Sequence, residues 1–296
     1  MTVRTGMALY DETAARASRV VLTGYSTSFA LGTRLLGGRG RRGIESLYAL
    51  VRIADEIVDT RRGPDAAALL DELEAATARA LETGYSTNLV VHAFARTARR
   101  VGIGHGELDP FFASIRMDLT VRVHDRDSYE KYVFGSAEVI GLMCLAVFLD
   151  SGRRGEAPSR GSDARLRPGA QALGAAFQKI NFLRDLGADY GDLGRSYFPG
   201  ITPANLDQRS VDEILAEIAR DLATARASLP GLPRRARWAV ASTIGLYDRL
   251  VTELAGTPAA DLLTRRVRVP GPVKLAIVAR SVGATVAGEL RAGRKP

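Results

Sequence analysis

Along most of the chain, apolar residues recur three and four positions apart, the period of an amphipathic helix. In residues 44–60 the stripe is Leu47, Val51, Ala54 and Val58; in residues 174–199 it is Ala176, Ile180 and Leu183. Alternating β-branched runs are scarce. Residues 121–123 and 266–269 alternate, but are short enough to be helix ends or extended loops. The pattern predicts an all-α fold. Glycine and proline breaks at 37–40, 63–65 and 270–272 divide it into about ten helices. Ser210 and Glu213 read as a capping box that opens one of them. Residues 151–169, rich in Gly, Pro and charge, read as a surface loop within a single domain spanning 1–296.

Composition narrows the class. With 296 residues, 46% hydrophobic and 25% charged, the chain can bury a large core, which excludes disorder and collagen-like structure. The longest apolar stretch, 139–149, is interrupted by Gly141 and falls short of the roughly 20 residues of a spanning helix. The first twenty residues carry no signal-peptide pattern, so a cytoplasmic location is expected. Cys144 is the one cysteine and sits in an apolar run, which predicts a buried inert thiol and no disulfide. The net charge of +8 favours an anionic partner. Basic clusters at 234–237, 265–268 and 291–295 lack interleaved aromatics, so they read as solvated helix ends or loops and nucleic acid is not expected.

Two segments carry unusual polar stripes. Tyr48, Arg52, Asp55 and Asp59 fall at i, i+4, i+7 and i+11, and Gln178, Asn181, Asp185 and Asp189 at i, i+3, i+7 and i+11. Each set lines one side of a helix next to an apolar stripe. A solvent face has no use for amides aligned with paired acids. Four carboxylates facing one another need divalent cations between them, and oxygen ligands without His or Cys indicate Mg²⁺. Magnesium fills its remaining positions with water and phosphate oxygens, which makes a diphosphate the natural substrate. Arg52, Arg184 and Arg195 are near enough in sequence to grip it. His92, His105 and His124 show no ligand spacing and read as structural or surface residues. Gly135, Ser136, Ala137 and Gly141 place small residues on an apolar helix, for close helix packing or for a channel, with packing favoured. Tyr132 lies three residues before Gly135 and could aim a hydroxyl into the same space; Phe29, Phe134 and Phe177 default to core.

In order along the chain, the Tyr25–Phe29 segment, Tyr48 to Arg52, the Asp55/Asp59 pair, Met117 with Asp118, the Tyr132 to Gly141 segment, Gln178 to Asp185 and the Gly194 to Pro199 segment resemble the phytoene/squalene synthase family. The resemblance is to its bacterial phytoene synthases. It implies an isoprenoid synthase helical bundle around a central cavity. It also implies that Asp55, Asp59, Asp185 and Asp189, with Asn181, hold Mg²⁺ (or Mn²⁺) against prenyl diphosphates. Arg52, Ser26 and Ser28 would grip diphosphate, while Tyr48, Gln178, Asn181 and Arg184 would complete the polar lining. Tyr132 would stand near the reacting carbons, and Phe29, Ala137, Gly141 and Gly174 would line the prenyl channel. Two positions depart from the family pattern: Thr27, where many relatives carry lysine, and the run from Ser281 to Gly283, where a bulky residue is expected.

The chemistry implied is condensation of two geranylgeranyl diphosphates through a cyclopropyl diphosphate to phytoene. Farnesyl diphosphate condensation to dehydrosqualene or squalene is the alternative within the family, and a non-enzymatic prenyl-lipid binder the alternative outside it. No Gly-x-Gly-x-x-Gly fingerprint is present, and no NADPH is expected. A long hydrocarbon product makes contact with a membrane surface plausible.

Overall fold

The computed structural model describes residues 6–61, 63–152 and 160–292, with the side chains of 28, 160–163, 192–193 and 288–292 outside that description. Thirteen α-helices are described, and no strand forms among these residues: α1 Gly6–Tyr25, α2 Thr27–Thr33, α3 Gly38–Glu56, α4 Ala66–Thr83, α5 Leu89–Val101, α6 His105–Thr120, α7 Arg126–Val133, α8 Val139–Ser151, α9 Arg160–Leu193, α10 Gln208–Ser228, α11 Arg234–Ala255, α12 Ala259–Leu262 and α13 Gly271–Ala292. The 121–123 stretch is extended, as expected, and forms one isolated bridge between Val123 and Ser196.

The long α9 is the spine of the fold, packed between α8 and α10. Ile180, Leu183, Ile218 and Leu222 close the α9–α10 face, while Leu50, Leu70, Phe94, Phe111 and Phe112 form a second core among α3–α6. Fully burying side chains of this size is worth roughly 1.5–3 kcal/mol each, and a third cluster, with Ile44 of α3, Leu145 and Val147 of α8 and Leu166 of α9, ties α3 to α9.

Two π-helical turns interrupt the regular helices: Ile57–Arg61 continues α3, and Phe134–Glu138 joins α7 to α8. Such turns recur at functional sites because they re-aim side chains. The first carries Asp59, which therefore departs from the straight 3.6-residue stripe.

Three expectations are corrected. Residues 160–169, read as loop, are already helical in α9, with Pro168 tolerated within it. Helix α10 opens at Gln208, two residues before Ser210: Asp207 is its cap, accepting the Ser210 N–H at 2.8 Å, and Glu213 pairs with Arg209 instead of completing a box. Residues Arg126–Ser151 run on as one helix of 26 residues whose most apolar 18-residue window has a mean hydropathy of 2.0, long and apolar enough to cross a membrane by length and composition; 56% of that window is buried inside the fold, the position of a core helix.

Candidate active site

Helices α3 and α9 bring the two acid pairs to one place. Asp59 stands on the π turn after α3, and the Arg195 Nη1 donates to its Oδ1 at 2.7 Å. The backbone N–H of Arg195 donates to the carbonyl of Asp189 at 3.0 Å, so this residue links the two acid-bearing segments. The electrostatics agree. Burial raises the Asp189 carboxyl to about 7, with further repulsion from Asp185 and from Asp59 across the cleft. Burial, then repulsion by Asp59, raises Asp55 to about 8, against the pull of Arg52.

The acids are partly neutralised by arginines. Arg184 pairs with Asp185 through two nitrogens, the Nε at 2.9 Å from Oδ1. Arg266 donates to the same carboxylate at 2.7 and 3.1 Å. Gly187, midway between Asp185 and Asp189, makes that approach possible: a Cβ there would meet the Leu263 carbonyl oxygen at 2.0 Å. Among the described residues, no three His, Cys, Asp or Glu side chains converge closely enough to hold a cation as they stand. The donor set nonetheless fits a hard divalent ion. It is all oxygen, and two of its carboxyls are raised to about 8 and about 7 by burial and like charge, a penalty on their ionised form that a cation offsets.

The cavity is lined chiefly by α2, α8, α9 and α11, with Ile44 of α3 also on its wall. It encloses about 200 Å³ and is lined by residues that include Phe29, Ala137, Gly141, Gly174, Phe177 and Gln178, with Cys144 on its wall and its thiol pushed up to about 12 by burial. The lining settles Phe29 and Phe177, read by default as core, as cavity wall. Small residues serve both purposes between which the sequence left a choice: a Cβ on Gly174 would meet the Ala137 carbonyl oxygen at 2.2 Å, and both residues line the cavity. Tyr48 stacks on Phe29 at a centroid distance of 5.6 Å. Ser26 caps α2, its hydroxyl accepting the Phe29 N–H at 3.2 Å; the Ser28 side chain falls outside the described residues. Arg52 lies over the Tyr25 ring and bonds Glu56, one turn on. Asn181 is half-buried on α9, one turn before Asp185. A Cβ on Gly245 of α11 would meet the Ser281 hydroxyl at 2.7 Å, so the departure at 281–283 lies at the α11–α13 contact, and none of its residues lines the cavity.

Arg195 and Tyr132 stand together beneath the acids, both in contact with Asp118. Arg195 is buried, 3% exposed, and its Nη2 donates to the carbonyls of Val58 at 3.1 Å and Asp118 at 3.0 Å. Its charge is shared between Asp59 and Asp118, so it braces the acids from within the protein. Tyr132 does not border the cavity. It is buried in an aromatic cluster with His124, Phe182 and Tyr197, and donates to Asp118 Oδ2 at 2.8 Å. Asp118 and Arg266 were given no role by spacing. Asp118 is buried and raised to about 6 by desolvation against the pull of Arg195. The Met117–Asp118 motif was its one signal in the sequence. Arg266, taken for a solvated loop residue, reaches an acid 81 residues away.

A family profile described as squalene/phytoene synthase matches residues 22–272. Phytoene synthase 3 of Zea mays, a chloroplastic protein, is 32% identical over 272 residues; the match covers 85% of this chain, which spans 61% of the maize protein's length. The 15-cis-phytoene synthase of Synechocystis is 31% identical over 286 residues, covering 89% of this chain and 83% of the relative. The solved structure of a dehydrosqualene synthase in complex with ligand superposes with a TM-score of 0.80 over 94% of this chain and 98% of its own, at 19% identity, a likeness of fold. The chain belongs to the squalene/phytoene synthase family.

Proposed function

We propose that the protein is a prenyltransferase that condenses two geranylgeranyl diphosphates head to head to phytoene, with Mg²⁺ held by Asp55, Asp59, Asp185 and Asp189 and assisted by Asn181. The observation that carries this reading is the sharing of two helices between a greasy cavity and paired acids. On α9, Gly174, Phe177 and Gln178 line the cavity, and Asp185 and Asp189 follow within three turns. On α3, Ile44 lines it, and Tyr48, Arg52 and Asp55 follow. A molecule with an apolar tail and an anionic head matches that order. Relatives named phytoene synthases favour the C20 substrate.

When bound, Mg²⁺ supplies the electrostatic pull on a departing diphosphate. Arg184 and Arg266 flank the same end of the cleft, and among the described residues the enclosed Nε of Arg52 has no hydrogen-bond partner, which leaves it for an anionic oxygen. The apolar walls around Phe29, Ala137 and Gly141 keep water from a carbocation. The +8 charge suits release of the hydrocarbon at an anionic membrane surface.

The test is incubation of purified protein with Mg²⁺ and either geranylgeranyl or farnesyl diphosphate, with and without NADPH, followed by mass analysis of the hydrocarbon. The reading expects phytoene from the C20 substrate regardless of NADPH. A C30 product formed in preference overturns the assigned substrate, and no product from either overturns the activity.

A further inference from the structure

Behind Asp59 stands a second carboxylate that faces neither the cavity nor solvent. Asp118, on α6, is 5% exposed. Its Oδ2 accepts the Tyr132 hydroxyl at 2.8 Å, and its Oδ1 accepts the Tyr197 hydroxyl at 3.3 Å and stands 3.4 Å from Arg195 Nη1. That same nitrogen is the one 2.7 Å from Asp59. One buried guanidinium is thus divided between two carboxylates, one at the cleft and one beneath it.

The division has an electrostatic consequence. In a site of low polarity, Arg195 must be compensated, and Asp118 does so from behind. Without the Asp118 charge, Arg195 would be compensated by Asp59 alone and would compete with any cation for that carboxylate. The two tyrosine hydroxyls fix Asp118, and the Val58 and Asp118 carbonyls fix the guanidinium plane, so the arrangement is set before a ligand arrives. We propose that Asp118 is a positioning residue for divalent-cation binding, holding Arg195 between itself and Asp59 and thereby keeping Asp59 available to the cation. This rests on the reading above that Asp59 takes part in cation binding.

The experiment is a titration of Mn²⁺ alone into wild type and Asp118→Asn, with free Mn²⁺ followed by electron paramagnetic resonance and the metal-free melting temperature measured in parallel. Groups that orient metal ligands typically account for 10–100-fold in affinity, so Asp118→Asn is expected to bind Mn²⁺ at least about 10-fold more weakly. His92→Asn serves as the control for a merely structural loss. His92 bonds Asp11 at 2.9 Å away from the cleft, and its removal should lower the melting temperature with Mn²⁺ affinity unchanged. Folded Asp118→Asn with wild-type Mn²⁺ affinity overturns the proposal. Should that variant fail to fold, Tyr197→Phe, which removes one hydrogen bond to Asp118, is expected to weaken Mn²⁺ binding several-fold, and unchanged affinity there overturns it equally. Wild type that binds no Mn²⁺ overturns the cation reading itself, a result distinct from wild type and variant binding alike.

Discussion

Arg195 holds Asp59 at 2.7 Å across 136 residues of sequence, and by this contact the loop after α9 is fastened to the turn after α3. Replacing Arg195 with Met would leave Asp118 buried without its cation and would remove one partner of Asp59. Breaking a buried pair by removing one side costs about 3–5 kcal/mol. Because the Asp59 side chain is 38% exposed and water screens it, the expected loss is near about 3 kcal/mol. Urea denaturation measures it; a loss below about 1 kcal/mol would show that the brace carries no load.

The raised acids make stability depend on pH. Asp55, Asp189 and Asp118 sit at about 8, 7 and 6 in the folded protein against an ordinary value of 3.8. Between the ordinary and the folded values the native state binds more protons than the unfolded chain, so stability falls as pH rises. Without metal, urea midpoints should decline from pH 5 to pH 8, each group adding at most about 1.4 kcal/mol per pH unit. Saturating Mg²⁺ should flatten the decline, because the cation favours the ionised carboxylates. A metal-free midpoint that climbs over this range contradicts the assignment.

Gly187 should be intolerant of any side chain. A Cβ there would stand 2.0 Å from the Leu263 carbonyl oxygen and push the segment carrying Arg266 away from Asp185. Gly187→Ala is expected to cost about 1–3 kcal/mol, as overpacking does. It should also speed tryptic cleavage at residues 265–268 several-fold, measured by limited proteolysis.

Arg266→Ala separates electrostatics from packing. The Arg266 side chain is 52% exposed, so its pair with Asp185 adds at most about 1 kcal/mol to stability. The melting temperature should hardly move, while the KM for the diphosphate substrate rises several-fold as one cation leaves the cleft.

Much of this was legible in the sequence, because it depends on local period. The apolar stripes of α3 and α9, the alignment of Gln178, Asn181, Asp185 and Asp189, and the breaks at 63–65 and 270–272 all follow from spacing within a few turns. What escaped depends on contacts distant in the chain or on departures from the regular helix. The π turn at Ile57–Arg61 moves Asp59 off its stripe, yet leaves no mark in composition. Arg195 looked like a ligand for phosphate because it lies near an acidic motif; its burial is decided by Val58 and Asp118 from other helices. Arg266 lay in a basic run of the kind that is ordinarily solvated, and only folding sets it against Asp185. The early start of α9 was hidden by Gly161, Pro168 and Gly169, breakers that the helix accommodates.

The most direct measurement is product formation from geranylgeranyl diphosphate and Mg²⁺ by wild type, Asp55→Asn and Asp185→Asn, each checked for wild-type helicity by circular dichroism. If the paired acids at the end of the cavity govern loss of diphosphate, each single change lowers kcat/KM by about 100-fold or more, and phytoene all but disappears. Phytoene formed at near wild-type rate by either folded variant contradicts the account.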